Sequence, residues 1–173
     1  MRWGSLESGA RHAATSVVTP ADDGVETMLV FHVGGQAHAV PLEAVDGVAR
    51  AYEVRPIPQP AQHVIGVIDR AGVPVPVIDL SAVLEVAERA CRHVLIHRSP
   101  WGAIGFMVEE AAGVGPAARR ALPDQLMREG GVLVALAEVE GESAYVLDLD
   151  NAVPAELREN HTRASRGGQQ SRG

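Results

Sequence analysis

The stretch Gly66–Leu80, GVIDRAGVPVPVIDL, reads as two apolar strands joined by a tight turn over Asp69–Gly72. Gly72 suits such a turn because it adopts positive φ without a Cβ clash. Pro74 and Pro76 are two residues apart and therefore face the same side of the second strand. Each proline removes a ladder donor, which favours an edge strand or a strongly bent strand. Strands of this kind are typical of small barrels.

The composition limits the class of protein. A chain of 173 residues predicts one domain, or two small barrels that share a core. Hydrophobic residues make up 46% of the chain but aromatic residues only 3%, so the core is expected to be Val, Leu, Ile and Ala. The net charge of −7 argues against nucleic-acid binding, which needs a basic face. The single cysteine, Cys91, excludes an intramolecular disulfide.

No apolar run reaches the length of a membrane span, and the N-terminus lacks the apolar core of a signal peptide. We therefore expect a soluble cytoplasmic protein without direct membrane insertion. Residues 1–27 are predicted to be a flexible arm, 28–155 the folded domain, and 156–173 a short helix end followed by a disordered tail.

Within the folded part, most runs read as strands joined by glycine turns such as Gly34-Gly35. Short helices are predicted at Ala82–Ala90, with Ser81 as N-cap, and after Asp150. The segment Gly113–Pro116 is interpreted as a break in the strand pattern.

Three segments are echoed later in the chain, in the same order. Residues 67–80 align without gaps to 136–149, LVFH at 29–32 resembles VLIH at 94–97, and PLEAVDGV at 41–48 resembles MVEEAAGV at 107–114. Echoes in consistent order indicate two similar all-β halves of about five strands each. Each half would form a small barrel of SH3 size, and the two would pack together.

The sequence gives little evidence for a metal site or a catalytic site. Cys91, His93 and His97 share strand parity, but the outer two would be about 20 Å apart along an extended strand, too far for one ion. A Ser/His/Asp triad could be assembled from Ser81, His63 and Asp79, but no nucleophile-elbow motif is present to support it. No metal or cofactor is expected.

Two carboxylate pairs, Asp148/Asp150 and Glu109/Glu110, are also present. The first pair ends a strand beside a predicted helix start, where capping is the ordinary role of an acidic side chain. We predict no enzymatic activity. A small-molecule sensor stays an alternative, but it would need a polar cavity and the interior reads as aliphatic.

The pattern resembles the CheW family of chemotaxis coupling proteins. The carrying segments are LVFHVGGQAHAVPLEAV, RPIPQPAQHVIGVIDRAGVPVPVIDL, HVLIHRSPWGAIGFMVEEAAGV, a later LP and AYVLDLDNAV. The resemblance covers about residues 28–155. It implies an all-β fold of two packed five-stranded SH3-like subdomains with short helices, and a non-catalytic adaptor that couples methyl-accepting chemoreceptors to the histidine kinase CheA.

The resemblance also implies partner contacts. The chemoreceptor's cytoplasmic tip would lie in the groove between the subdomains, and the CheA regulatory domain would contact a loop of the second. The implied receptor contacts are Val40, Val45, Gly47, Val48, Arg70, Ala71, Met107 and Val108, and the implied kinase contacts are Leu122, Pro123 and Leu126. Any of the apolar ones could instead be ordinary core residues.

Two positions depart from the family pattern. The usual arginine of the turn falls at Ala71, with Arg70 one residue early, and a glutamate is common where this chain has Gly47. Such a shift beside a strand reverses the direction of the side chain. The departures leave three alternatives open: co-adapted partners, an adaptor of a non-flagellar pathway such as pilus motility, or a loss of coupling.

Overall fold

The computed structural model describes residues 24–160, and this part of the chain is mostly β-structure. The predicted arm up to residue 23 and the tail from residue 161 lie outside the described residues. The strands are β1 (Val25–Val33), β2 (Gln36–Pro41), β3 (Val45–Arg50), β4 (Val64–Arg70), β5 (Val73–Asp79), β6 (His93–Ser99), β7 (Gly102–Val108), β8 (Glu110–Arg120), β9 (Leu133–Val139) and β10 (Glu142–Leu147).

Short 3-10 turns of three or four residues follow β2, β3, β8 and β10. They span Leu42–Ala44, Ala51–Glu53, Asp124–Leu126 and Leu149–Ala152. One short α-helix, α1 (Leu80–Leu84), follows β5, and residues 155–160 are helical. No helix in the part of the chain that the structure describes is long and apolar enough to cross a membrane.

The strands form two five-stranded sheets. The first barrel is closed and has the order β1-β2-β10-β9-β8, with β1 also paired to β8. The second sheet has the order β3-β6-β7-β5-β4. Each contains one parallel pair, β2 with β10 and β5 with β7, among antiparallel neighbours. The predicted all-β fold with two five-stranded SH3-like subdomains is confirmed.

The two halves of the sequence do not, however, correspond to the two sheets. Strands β1 and β2 belong to the first barrel, but the next three strands, β3 to β5, belong to the second sheet. The later half does the converse, since β6 and β7 join the second sheet and β8 to β10 return to the first barrel. The expectation that each half forms its own barrel was therefore wrong. The strands β6 to β10 repeat the order of β1 to β5, but each half contributes strands to both sheets.

Three apolar clusters fill the molecule, as alternation along the strands requires. In β1, Met28 and Val30 point into the first barrel, whereas Leu29 and Phe31 point towards the second sheet. Val94 and Ile96 of β6 line the inside of the second sheet. The cluster between the sheets, here called the shared core, takes side chains from both and holds the two subdomains together.

The organising hairpin forms as predicted. Ala71 and Gly72 occupy the turn with φ values of 54° and 83°, and the Asp69 carboxylate accepts a hydrogen bond of 2.9 Å from the Gly72 N–H. β5 is nevertheless not an edge strand, because it lies between β4 and β7. Its parallel ladder to β7 begins only at Val77, beyond Pro76, so the prolines cost that ladder no hydrogen bond.

The edges of the two sheets close differently. In the first barrel, β8 pairs with β9 through Arg119↔Ala137 and Arg120↔Leu136. In the second sheet, β3 and β4 are the two edge strands, and an isolated bridge, Arg55↔Val67, connects β4 to the segment that follows β3. We call this region, between β3 and β4, the seam.

Three local predictions need correction. The helix predicted at Ala82–Ala90 ends at Leu84, where Glu85 adopts a left-handed conformation, and its N-cap is Asp79 rather than Ser81. The turn at Leu149–Ala152 is capped by Asp148 rather than Asp150. The supposed break at Gly113–Pro116 lies inside β8, where small residues let the strand curve around the closed barrel.

Candidate partner-binding site

The residues considered for metal binding have structural partners. His93 accepts a hydrogen bond of 3.0 Å from the Ala111 N–H, and His97 Nε2 lies 2.7 Å from the Asp150 carboxylate. Burial is the main cause that raises the pKa of Cys91 to about 11. A thiol with such a pKa is a poor nucleophile and a poor metal ligand at neutral pH. No cluster of three or more metal-ligating side chains occurs within residues 24–160.

The candidate triad is a helix cap. The Ser81 hydroxyl donates a hydrogen bond of 2.6 Å to the Asp79 carboxylate, which also accepts from the Ser81 N–H. His63 contributes its backbone carbonyl, which accepts from the Asp79 N–H at 2.9 Å. A nucleophilic serine must instead give its proton to a base such as an imidazole. This arrangement therefore orders the start of α1.

The paired carboxylates also have separate structural roles. Glu109 accepts a hydrogen bond of 2.9 Å from the Gly35 N–H and thereby anchors the β1–β2 hairpin, whereas Glu110 lies 4.0 Å from Arg92. Asp148 caps the turn that contains Asp150. The two members of each pair thus face different partners, and neither pair is arranged as a general acid with a general base.

The predicted receptor-contact residues separate into buried and exposed groups. Val40 and Val108 are 1% and 0% exposed and belong to the shared core. Met107 is half-buried and packs on the inside of the second sheet. Any influence of Val40 and Val108 on a partner must pass through the residues that cover them. Val45 is half-buried on β3, opposite His97.

The remaining members lie around β3 and the seam. Val48 is 43% exposed on the outer side of β3, and Ala71 is exposed at the hairpin turn. Arg70 reaches from the end of β4 to β3, where its guanidinium nitrogens lie 3.1 and 3.3 Å from the position that a Cβ on Gly47 would occupy. The structure thus brings together Gly47 and Arg70, the residues at which the chain departs from the family pattern.

A groove of about 400 Å³ lies between the two sheets. Its wall includes Val40 and Pro41 of β2, His97 of β6 and Leu147 of β10. Charged side chains of both signs rim it, including Arg98, Arg119, Asp148 and Asp150. Among these groove residues only Val40 was predicted as a partner contact, because only the exchange of strands brings β6 and β10 to one surface.

The predicted kinase-contact residues follow β8. Leu122 is only 5% exposed and supports the loop from below, whereas Pro123 is exposed and begins the turn Asp124–Leu126. Leu126 is 48% exposed, and the next residue, Met127, is 60% exposed. Met127 was missed by sequence reasoning, although an apolar pair in a proline-initiated loop was available as a signal.

Further exposed apolar side chains lie on the second sheet and were also missed. Tyr52, in the turn after β3, is 85% exposed, and Val73, at the start of β5, is 60% exposed. Exposed large apolar residues close to one another are typical of protein-contact surfaces. Like Val48, Tyr52 and Val73 add exposed apolar surface to the second-sheet region.

Comparison with known proteins identifies the family of this chain. A family model described as CheW-like domain matches residues 27–156. A chemotaxis protein CheW from Rhizobium meliloti (strain 1021) is 28% identical over 156 residues, covering 84% of this chain and 98% of that protein. A chemotaxis protein CheW from Thermotoga maritima is 27% identical over 89 residues, covering 50% of this chain and 59% of that protein.

Among solved structures, the scaffolding protein TtCheW from Thermoanaerobacter tengcongensis superposes with a TM-score of 0.64 at 18% sequence identity. The superposition covers 72% of this chain and 89% of that one. The arrangement of two interlocked five-stranded sheets is therefore shared with a known scaffold.

Proposed function

Because this chain belongs to the CheW-like domain family, we propose that it is a non-catalytic chemotaxis adaptor that couples methyl-accepting chemoreceptors to the regulatory domain of the histidine kinase CheA. The observation that carries the proposal is the family match across nearly the whole described fold, both sheets included. The adaptor would act on the cytoplasmic side of the membrane, where it meets the receptor's cytoplasmic tip.

The receptor contact is assigned to the groove between the sheets and the adjoining outer side of β3. An amphipathic helix can place its apolar face in such a groove, with anchors spaced by three or four residues. Val48 offers exposed apolar surface at this place, and the shared core beneath it fixes the position of β3.

The kinase contact is assigned to the loop after β8. Pro123 restricts the backbone at the start of this loop, and Leu126 presents an apolar side chain at its surface. A pre-ordered loop loses little conformational entropy on binding. The receptor and kinase surfaces use different residues, so one adaptor can hold both partners together.

Each contact is expected to be modest, with a Kd on the order of micromolar, equivalent to about −8 kcal/mol. Many such contacts in a shared array would raise the effective concentration of every partner. A scaffold of this type passes on a signal as a change in receptor–kinase geometry, without any chemical step of its own.

Titration calorimetry tests the assignment, with a receptor-tip hairpin and a CheA regulatory domain from the same genome as titrants. Val48→Asp is expected to abolish receptor binding and retain kinase binding, and Leu126→Asp to do the reverse. Leu122 is unsuitable for this test because it is buried, and a buried aspartate would unfold the loop. If the folded wild-type protein binds neither partner, the proposed function is wrong.

A further inference from the structure

The guanidinium of Arg70 is held across the seam without a counter-ion. Its nitrogens lie against the backbone of Gly47, on the neighbouring edge strand. The side chain is half-buried, and no hydrogen bond or ion pair joins it to any residue between 24 and 160. An arginine side chain that is positioned against a neighbouring strand but has no partner within the described residues keeps its N–H groups for other contacts.

The nearby carboxylates are already engaged. Asp69, which precedes Arg70, accepts the hydrogen bond that closes the hairpin turn. Asp46, which precedes Gly47, is bound by the guanidinium of Arg98. Neither carboxylate is hydrogen-bonded to Arg70, so the N–H groups of its guanidinium remain open to a group from a partner.

Gly47 makes this position of the guanidinium possible. A Cβ at residue 47 would lie 3.1 Å from one terminal nitrogen of Arg70 and 3.3 Å from the other, which is tighter than ordinary contact. Any side chain there would push the guanidinium away from β3. The missing side chain at 47 and the early arginine at 70 are thus two parts of one arrangement.

The surroundings suit a protein partner. Val73, the cross-strand neighbour of Arg70, is 60% exposed, and Val48, the residue after Gly47, is 43% exposed. An arginine beside an exposed apolar side chain such as Val73 is common at interface hot spots. Val48 faces the other side of β3, because it pairs with Leu95 of the shared core whereas Gly47 pairs with Ile96 inside the second sheet. Its planar fork matches a carboxylate, with which it can form two parallel hydrogen bonds.

We propose that Arg70, positioned by Gly47, is a carboxylate-recognition point that binds an aspartate or glutamate side chain on the receptor's helical tip. This inference rests on the proposed function, since it names the chemistry of the receptor contact. It makes the Gly47/Arg70 pair the element by which this adaptor selects an acidic receptor sequence.

The test measures receptor-tip affinity by titration calorimetry at two salt concentrations, with the full-length protein. Arg70→Ala is expected to weaken binding about tenfold and to remove part of the salt dependence, because it deletes a charged contact. Gly47→Ala leaves every charge in place but displaces the guanidinium, and is expected to weaken binding several-fold.

Gly113→Ala is the matched control. Gly113 is the residue of β8 that the sequence echo aligns with Gly47, and a Cβ there would meet nothing within 4 Å. This variant should bind the receptor tip within about twofold of wild type. Circular dichroism and thermal melts should show that all three variants are folded.

The partner is tested by a charge exchange. Receptor tips in which single acidic residues are replaced by arginine are titrated against Arg70→Glu, and one of these pairs should recover affinity that both single changes lose. If Arg70→Ala and Gly47→Ala bind the receptor tip like wild type while Val48→Asp does not, the inference is wrong and the proposed function stands. The same holds if these changes weaken only kinase binding. If wild type does not bind the tip at all, both are wrong.

Discussion

Two histidines lie buried against the shared core, and each has one ring nitrogen in a hydrogen bond. His38 stacks between Phe31 and Tyr145 with its Nδ1 3.0 Å from the Gln36 carbonyl. His97 contacts Phe106 edge-on and Asp150 through Nε2. Buried polar groups depend on such partners, so these residues make the stability of the shared core sensitive to single changes.

Asp150 is the only hydrogen-bond partner of the His97 ring among the described residues, because His97 Nδ1 is buried without one. Asp150→Ala is therefore expected to lower the free energy of unfolding by about 1–3 kcal/mol. Asp150→Asn retains an acceptor and should lose less. Urea unfolding measures both, and Asp124→Ala, at an exposed carboxylate, should change stability by less than about 0.5 kcal/mol. Equal losses at 150 and 124 would contradict this role.

His38 predicts a dependence of stability on pH. Its pKa lies below the ordinary value of 6.5, chiefly because burial disfavours the charged ring. The unfolded chain therefore binds the proton more readily than the folded one, and stability should fall as the pH drops below about 6.5. His38→Phe, which keeps an aromatic ring, should make the free energy of unfolding less dependent on pH between 7.5 and 5.5. An unchanged slope would show that other groups cause it.

Among the elements, the edge of β4 is the most tightly constrained. Gly66 is buried, and a Cβ there would lie 2.2 Å from the carbonyl oxygen of Arg55. That oxygen accepts a hydrogen bond of 2.8 Å from the Val67 N–H, and Arg55 donates one of the same length back to the Val67 carbonyl. The close approach of two backbones at this bridge explains a glycine within a strand.

Gly66→Ala should consequently separate the two backbones and destabilise the protein by about 1–3 kcal/mol, as over-packing of a filled site does. Chemical denaturation gives this value, and faster hydrogen exchange at the Val67 amide would locate the change at the bridge. Gly113→Ala again serves as the comparison, since it adds the same methyl group in open space. If both variants are equally stable, the bridge does not restrain β4.

At the scale of the whole molecule, the exchange of strands means that neither half can complete a sheet alone. The first barrel takes β1 and β2 from the earlier half and its other three strands from the later half. The connection between the halves, at residues 87–90, is exposed and has no regular structure. Folding must therefore bring distant segments together, which is slow and cooperative compared with local pairing.

Separate fragments test this interlocking. Residues 1–88 and 89–173, produced alone, should lack the cooperative thermal transition of the full chain, because each would expose unpaired strand edges and half of the shared core. Mixing the two should restore the transition, as judged by circular dichroism and size-exclusion chromatography. A fragment that folds by itself would overturn this view of the fold.

The sequence by itself determined the local features of this protein. The Asp69–Gly72 turn, the alternation of β1 and the echoed segments follow from residues close together in the chain, and the family pattern adds the adaptor role. Turn sterics and the alternation of side chains along a strand depend on residues close together in the chain, so they can be predicted without a structure.

Only the tertiary structure decided which strands pair and which side chains reach the surface. Val40 and Val48 have the same residue type, yet one is buried in the shared core and the other is exposed. The contact of Arg70 with Gly47 joins the two edge strands of the second sheet, β3 and β4. Register and packing between distant segments set these contacts, and no local pattern encodes them.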